Sequence, residues 1–202
     1  MTKFYLPIPI PKIIETIFVY FLLRYRKKTH GYPFRKIKLT KGKFAKVDPE
    51  DYHKLAQYDW HLEESKNRKN CYAVQYEDSR YVKMHRVIMN APAGKIVDHI
   101  NGDGLDNTKR NLRIATYAQN SYNKRLKKKG TSKYKGVYFY KQTNKWASHI
   151  NYNNKRLHLG YFDNEQDAAR AYDNAAKIYH GDFAVLNFPD DSQIQNYLAP
   201  RP

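Results

Sequence analysis

From Arg35 onward the chain is dominated by short runs in which apolar and polar residues alternate at period two. Such alternation predicts half-buried strands. The runs RKIKL and KFAKV, parted by Thr40-Lys41-Gly42, read as a hairpin. Asp48-Pro49-Glu50-Asp51 carries a capping side chain, Pro at the first helical position and acids in the first turn, so a helix running to about Tyr58 is expected. Short strands follow at 60–63, 71–76 and 81–84, then a helical turn over His85–Met89. Further on, 95–100 and 112–116 read as two strands and 117–129 as a helix. The last third predicts three strands, over 134–140, 146–152 and 156–161, with polar turns at Gln142-Thr143-Asn144 and Asn153-Asn154.

A final helix begins after Asp163, read as its cap with Gln166 completing a capping box, and stops at Gly181. Ala168, Tyr172, Ala175, Ala176 and Tyr179 share one face of it, and the small residues permit close packing on the sheet. At the other end, Pro7, Pro9 and Pro11 suggest an extended lead-in to the apolar run 13–23. That run is about half the ~20 residues a bilayer span needs. It has no charged segment before it and no small-residue cleavage site after it, so no signal peptide is expected. Ile14, Ile17, Phe18, Phe21 and Leu22 form one helical stripe, which reads as a helix docked on the protein body.

Charge narrows the function. The 202 residues include 37 Lys+Arg against 19 Asp+Glu, a net charge of +18. So large an excess works against compaction and points to an anionic partner, nucleic acid above all. The run Lys124–Lys135, KRLKKKGTSKYK, has seven basic residues and no acid, and reads as a helix end passing into a phosphate-contacting linker. The single cysteine, Cys71, excludes an intramolecular disulfide and a cysteine-based zinc site.

The candidate chemistry lies in DHINGDGLDNTKRNLRIATYAQNSYN, residues 98–123. Asp98 and His99 are adjacent, Asn111 follows His99 by twelve residues, and Asn120 comes nine later. Neighbours on a strand point to opposite faces. A carboxylate can thus hold a hard cation while the imidazole faces a water, and an asparagine one turn into the following helix can reach back to the same ion. An EF-hand reading fails, because the twelfth position counted from Asp98 is Lys109 rather than Glu. Asp103, Asp106 and Asn107 read as turn formers.

This segment resembles the HNH (ββα-metal) endonucleases, specifically their homing-type branch. The resemblance implies Asp98 and Asn120 as metal ligands, His99 as general base, and Asn111 as the brace of the loop that aims His99. His85 matches a position that lies near the active site in related enzymes, and a phosphate contact is expected of it. The final His of the family name is Asn120 here. An all-oxygen ligand set then favours Mg²⁺ or Mn²⁺.

The motif series YKGVYFYK, KWASHINYNNKRLHLGYF, AARAYDNAA and LNF resembles the AP2 DNA-binding domain, whose sheet reads the major groove through strand side chains. Alternation puts Trp146, Ser148 and Ile150 toward the helix, and Ala147, His149 and Asn151 toward DNA together with Tyr138, Tyr140, Arg156 and His158. Lys135 and Arg156 match basic positions of that family. Tyr138, Tyr140 and Asn151 stand where plant members commonly carry Arg, and His158 where they carry Trp, so the plant target sequence does not transfer. Lys124, Arg125, Lys127 and Lys128 complete the expected DNA-binding set.

The expected fold is therefore α+β, with an extension over 1–30, an α+β lead-in over 31–84, the ββα-metal HNH unit over 85–129, an AP2-like three-stranded antiparallel sheet packed on one helix over 130–190, and a tail over 191–202. The expected function is metal-dependent hydrolysis of DNA phosphodiester bonds, the resemblance suggesting a mobile element as source. Expected with it are double-stranded DNA as partner, no small-molecule cofactor, no membrane span, a monomer or weak dimer, and a cytoplasmic, unsecreted location. The competing expectation is a DNA-binding transcription regulator of AP2 type with a weak or inactive nuclease unit.

Overall fold

The computed structural model describes residues 12–65, 70–77, 80–123 and 130–189. The chain forms two compact units. One comprises 1–88 and 103–109, the other 89–102 and 110–202.

The first unit is built on two small antiparallel sheets. β1 (Arg35–Lys38) pairs with β2 (Phe44–Val47) around a 3-10 turn at Thr40–Gly42, where Lys41 and Gly42 both take positive φ. β3 (His61–Glu64), β4 (Cys71–Glu77) and β5 (Arg80–Lys83) form the second sheet, with β4 central. The expected strands are present within a residue or two. Their inward positions, Ile37, Leu39, Ala45, Val47, Leu62 and Ala73, join Leu55, Trp60 and Met84 in one core.

The helix expected to reach Tyr58 is a single turn, α2 (Tyr52–Leu55). It stops there because the Leu55 carbonyl accepts the indole N–H of Trp60 at 2.8 Å and the Tyr58 amide at 3.3 Å. Asp48, read as its cap, instead accepts the backbone N–H of Lys109 at 2.7 Å, and its burial raises its pKa. Asp103 and Asp106 form the expected turns. Asp103 Oδ1 accepts the Leu105 amide, and Asp106 Oδ1 accepts the Thr108 hydroxyl at 2.8 Å.

The N-terminal helix α1 (Lys12–His30) departs from expectation. It forms, but no residue of it is buried, and Ile13, Ile14, Ile17, Phe18 and Phe21 are 52–70% exposed. A helical stripe identifies the apolar face without identifying a cover for it. Among the described residues no helix is long and apolar enough to cross a membrane.

The lead-in ends in α3 (Met84–Met89), and the second unit opens with β6 (Ile96–His99), β7 (Leu112–Ala115) and α4 (Tyr117–Tyr122), a ββα arrangement. Thr116 starts α4 through a capping box. Its hydroxyl accepts the Gln119 amide, and the Gln119 side chain accepts the Thr116 amide. The expected extension of this helix over 124–129 lies outside the described residues.

β8 (Val137–Tyr140), β9 (Lys145–Tyr152) and β10 (Lys155–Phe162) make an antiparallel sheet with β9 central, and α5 (Glu165–Tyr179) packs on one face. Ile150, Tyr172, Ala175, Ala176 and Ala184 form one part of the core, and Val137, Ala168 and Ala169 another. Gly136 has no alternative here, since a Cβ on it would stand 2.0 Å from the Tyr172 ring. The cap of α5 is Asn164 rather than Asp163. Its side-chain oxygen accepts the Asp167 amide at 2.8 Å, one residue later than expected.

Candidate active site and nucleic-acid interface

In the β6–β7 hairpin Asp98 stands directly opposite Arg113, and His99 opposite Leu112. Cross-strand partners share a face, so Asp98 and His99 present their side chains on opposite sides, and both are buried. Asp98 is densely held. Its Oδ2 accepts Arg113 Nε at 2.9 Å, Arg113 Nη2 at 2.8 Å and Asn123 Nδ2 at 2.9 Å. Oδ1 accepts Asn123 Nδ2 at 3.0 Å. The same Asn123 amide donates to the His99 carbonyl at 3.1 Å.

Asn111 grips the backbone that leaves His99. Its carbonyl accepts the Ile100 amide at 2.9 Å and its side-chain oxygen accepts the Asn101 amide at 3.0 Å. The Gly102 amide closes the turn on the His99 carbonyl at 2.9 Å. Asn120 lies half-buried in α4, and its side chain makes no hydrogen bond among the described residues. His85 is buried in α3 of the first unit, its ring edge-on to Tyr72 at 5.6 Å.

Arg113 was not anticipated, and neither was the bond from Asn123 to Asp98. Arg113 is the only charged residue in an otherwise apolar strand, LRIA, and the hairpin register sets it against Asp98. That register was the available signal. Arg113 also reaches further. Its Nη1 donates to the Asp182 carbonyl, and its guanidinium lies 3.9 Å over the Phe183 ring. Tyr122, the last residue of α4, stacks on His180, the residue that closes α5.

On the sheet, the register places Tyr138, Ala147 and Tyr161 side by side, then His149 opposite His158 and Asn151 opposite Arg156. These residues occupy the face away from α5, as alternation predicts. Tyr161 was missed because a bulge between His158 and Gly160 shifts the register by one residue. The signal was Gly160, a glycine inside a strand with φ +132°. The face is an aromatic and imidazole layer. Tyr138 meets His149 edge-on at 5.5 Å, Tyr140 lies 5.4 Å from Tyr161, and His158 lies 4.6 Å from Tyr161. Arg156 and His158 are exposed, whereas Ala147 is fully covered. Burial, then the charges of Arg156 and His158, lowers the pKa of His149.

Lys135 is not on this face. Its Nζ donates to the Tyr122 carbonyl at 2.5 Å, and burial lowers its pKa to about 8. Lys124, Arg125, Lys127 and Lys128 lie outside the described residues.

A ββα hairpin bearing an Asp-His pair and a three-stranded sheet backed by one helix define two domain classes, and the comparisons with known proteins find both. The family model for the HNH endonuclease matches residues 82–122, and that for the AP2 domain matches 132–181. An HNH endonuclease of Acanthamoeba polyphaga mimivirus is 33% identical over 153 residues, covering 73% of this chain and 76% of that protein. An AP2-like ethylene-responsive transcription factor of Arabidopsis thaliana is 48% identical over 58 residues, 29% of this chain and 12% of that protein. APETALA2-like protein 2 of Oryza sativa subsp. indica is also 48% identical over 58 residues, 13% of its length. No solved structure matches. The chain belongs to the HNH endonucleases and carries an AP2 domain behind its nuclease domain.

HNH nucleases generally use a divalent metal, and the residues here fit one. A carboxylate has roughly four lone-pair positions. Three of the bonds to Asp98 fall on Oδ2 and one on Oδ1, which leaves Oδ1 with capacity for a cation. Asn120 adds an uncommitted carboxamide, so the available donors are hard oxygens. The one cluster of acids among the described residues, Asp48, Glu50 and Asp51, belongs to the first unit and is engaged with Lys109.

Proposed function

We propose that this chain is a metal-dependent endodeoxyribonuclease that cuts double-stranded DNA held by its AP2 sheet. The observation that carries the reading is the Asp98–His99 pair, with the carboxylate fixed by Arg113 and Asn123 and the loop after His99 fixed by Asn111. Catalytic groups work when their neighbours hold them in a productive geometry.

In the proposed reaction His99 takes a proton from water as general base. The hydroxide forms a bond to phosphorus, the bond to the 3′-oxygen breaks, and that oxygen takes a proton from solvent. The products are a 5′-phosphate and a 3′-hydroxyl. When bound, Mg²⁺ or Mn²⁺ supplies charge stabilisation at the phosphate and the leaving oxygen. Asp98 and Asn120 are its proposed ligands. Asn111 keeps His99 aimed.

The face carrying Tyr138, Tyr140, His149, Asn151, Arg156, His158 and Tyr161 is the proposed DNA surface. Its shape suits a major groove, which admits strands and offers a distinct donor and acceptor pattern at each base pair. Phosphate contacts from Lys124, Arg125, Lys127 and Lys128 belong to the same proposal, as do a homing-type role on a mobile element, a monomer or weak dimer, and action in the cytoplasm without a small-molecule cofactor.

A second reading, a DNA-binding regulator with an inert nuclease domain, is favoured by one observation: Arg113 neutralises the carboxylate expected to hold metal. Plasmid nicking separates the two. Relaxation in Mg²⁺ that EDTA stops and His99→Ala slows roughly 10²–10⁴-fold, with DNA affinity retained, supports the nuclease. Intact plasmid under every divalent ion tried supports the regulator.

A further inference from the structure

The side chain that holds Asp98 across the hairpin is itself held from beyond the hairpin. One edge of the Arg113 guanidinium, Nε and Nη2, is spent on Asp98. The other edge, Nη1, donates to the carbonyl of Asp182, and the flat face covers Phe183 at 3.9 Å. Asp182 and Phe183 belong to the 3-10 turn Gly181–Phe183, which follows the helix of the AP2 domain. Arg113 is 8% exposed. A single buried side chain thus touches the proposed metal ligand on one side and the last turn of the DNA-recognition domain on the other. Two contacts line the same seam, the Tyr122–His180 stack and the bond from Lys135 to the Tyr122 carbonyl.

We propose that Arg113 is a positioning residue through which the AP2 domain completes the nuclease centre. The inference rests on the reading of Asp98 as a metal ligand. β6 and β7 are four residues each and, among the described residues, pair only with one another. A lone two-stranded hairpin is marginal in water, so its side chains need support from elsewhere. Guanidinium suits the task because its donors form a rigid planar fork that meets a carboxylate and a carbonyl at once. An ammonium presents the same charge as a point and cannot span both. Removing the support from the AP2 side leaves Asp98 charged but poorly aimed.

The test uses the full chain with Arg113→Lys and Phe183→Ala. Neither substitution changes net charge, so altered metal binding reports positioning rather than electrostatics. Mn²⁺ affinity is measured without DNA by paramagnetic resonance of the free ion, with Asp98→Ala as background. DNA affinity is measured in EDTA, and plasmid nicking is titrated with Mg²⁺. Both variants are expected to weaken the Asp98-dependent Mn²⁺ site roughly 10-fold or more, in the range typical of residues that orient metal ligands. DNA affinity in EDTA should stay near wild type, and nicking should recover at high Mg²⁺. If Arg113→Lys melts below the assay temperature, Phe183→Ala decides alone, since Phe183 is only half-buried. Binding curves that overlay the wild type overturn the inference and leave the proposed function standing. A wild type with no Asp98-dependent Mn²⁺ site overturns both.

Discussion

Tyr122 and His180 stack face to face, their ring centroids 3.9 Å apart and their planes 8° from parallel. The pair joins the end of the nuclease helix to the end of the AP2 helix. His180 is further fixed by a ring nitrogen 2.9 Å from the Asn151 carbonyl, on the strand that carries the proposed DNA face. Residues in contact couple energetically, so a change at one of these rings is felt at the other.

Acid should loosen this seam. Burial lowers the pKa of His180 from its ordinary 6.5, outweighing the bond to Asn151, and the charge of Lys135 lowers it further. A base whose folded pKa lies below its unfolded value is neutral in the fold, and its contribution is fully present above the unfolded pKa. As pH falls below about 6.5 the unfolded chain binds the proton first, and stability drops. His180→Phe keeps an aromatic ring and removes the titration. Its melting temperature should therefore decline less between pH 7 and pH 5 than that of the wild type. Parallel declines would show that His180 does not carry the effect.

Asp98 and Asn120 should differ in their metal dependence. Asp98 brings a full charge and Asn120 only a dipole, so Asp98→Ala should raise the Mg²⁺ needed for nicking more steeply than Asn120→Ala. Asn123 has a separate task, since its amide donates to Asp98 and to the His99 carbonyl. Asn123→Ala should resemble a milder Asp98 defect. An Asn120→Ala titration that overlays the wild type would remove Asn120 from the ligand set.

Local pattern made much of this structure legible, and partnership between distant segments did not. The hairpins follow from alternation, and the ββα order follows from an Asp-His strand, an apolar strand and a polar helix start. Arg113 escaped because its importance lies in what approaches from Asp182 and Phe183, far along the chain. The charge run marks Lys135 as a phosphate contact, because such a run says nothing about which lysine is drawn inward. The stripe on α1 identified an apolar face and could not tell that it stays exposed. Tyr161 needed the bulge at Gly160, a one-residue shift that alternation alone cannot register.

That bulge should matter for recognition. Gly160→Val places a β-branched residue at φ +132°, a conformation L side chains rarely adopt. The strand must then lose the bulge or strain, and either turns Tyr161 away from Arg156 and His158. Gly160→Val and Tyr161→Ala should weaken preferred-site DNA more than random DNA. Arg156→Ala should do so by about 1–3 kcal/mol, the value of a bidentate arginine–guanine contact. Binding selected from a random-sequence pool measures this directly. Equal losses on both DNAs would assign these residues to phosphate.

Lys135 offers a test of where the basic residues act. A lysine that neutralises a phosphate adds about 0.9 to the slope of log affinity against log salt. Lys135 is instead committed to the Tyr122 carbonyl. Lys135→Met should therefore leave that slope unchanged, and a drop of about 0.9 would return Lys135 to the DNA surface. Its pH behaviour gives a second readout. Burial lowers the folded pKa from 10.5 to about 8, so the unfolded chain holds the proton more tightly. The wild type consequently gains stability as pH rises through 8 toward 10.5, while Lys135→Met lacks this gain. Any advantage of Lys135→Met in melting temperature should be largest near pH 7 and shrink by pH 10. A difference that stays constant across that range would place the Lys135 ammonium in water rather than in the seam between the nuclease helix and the AP2 sheet.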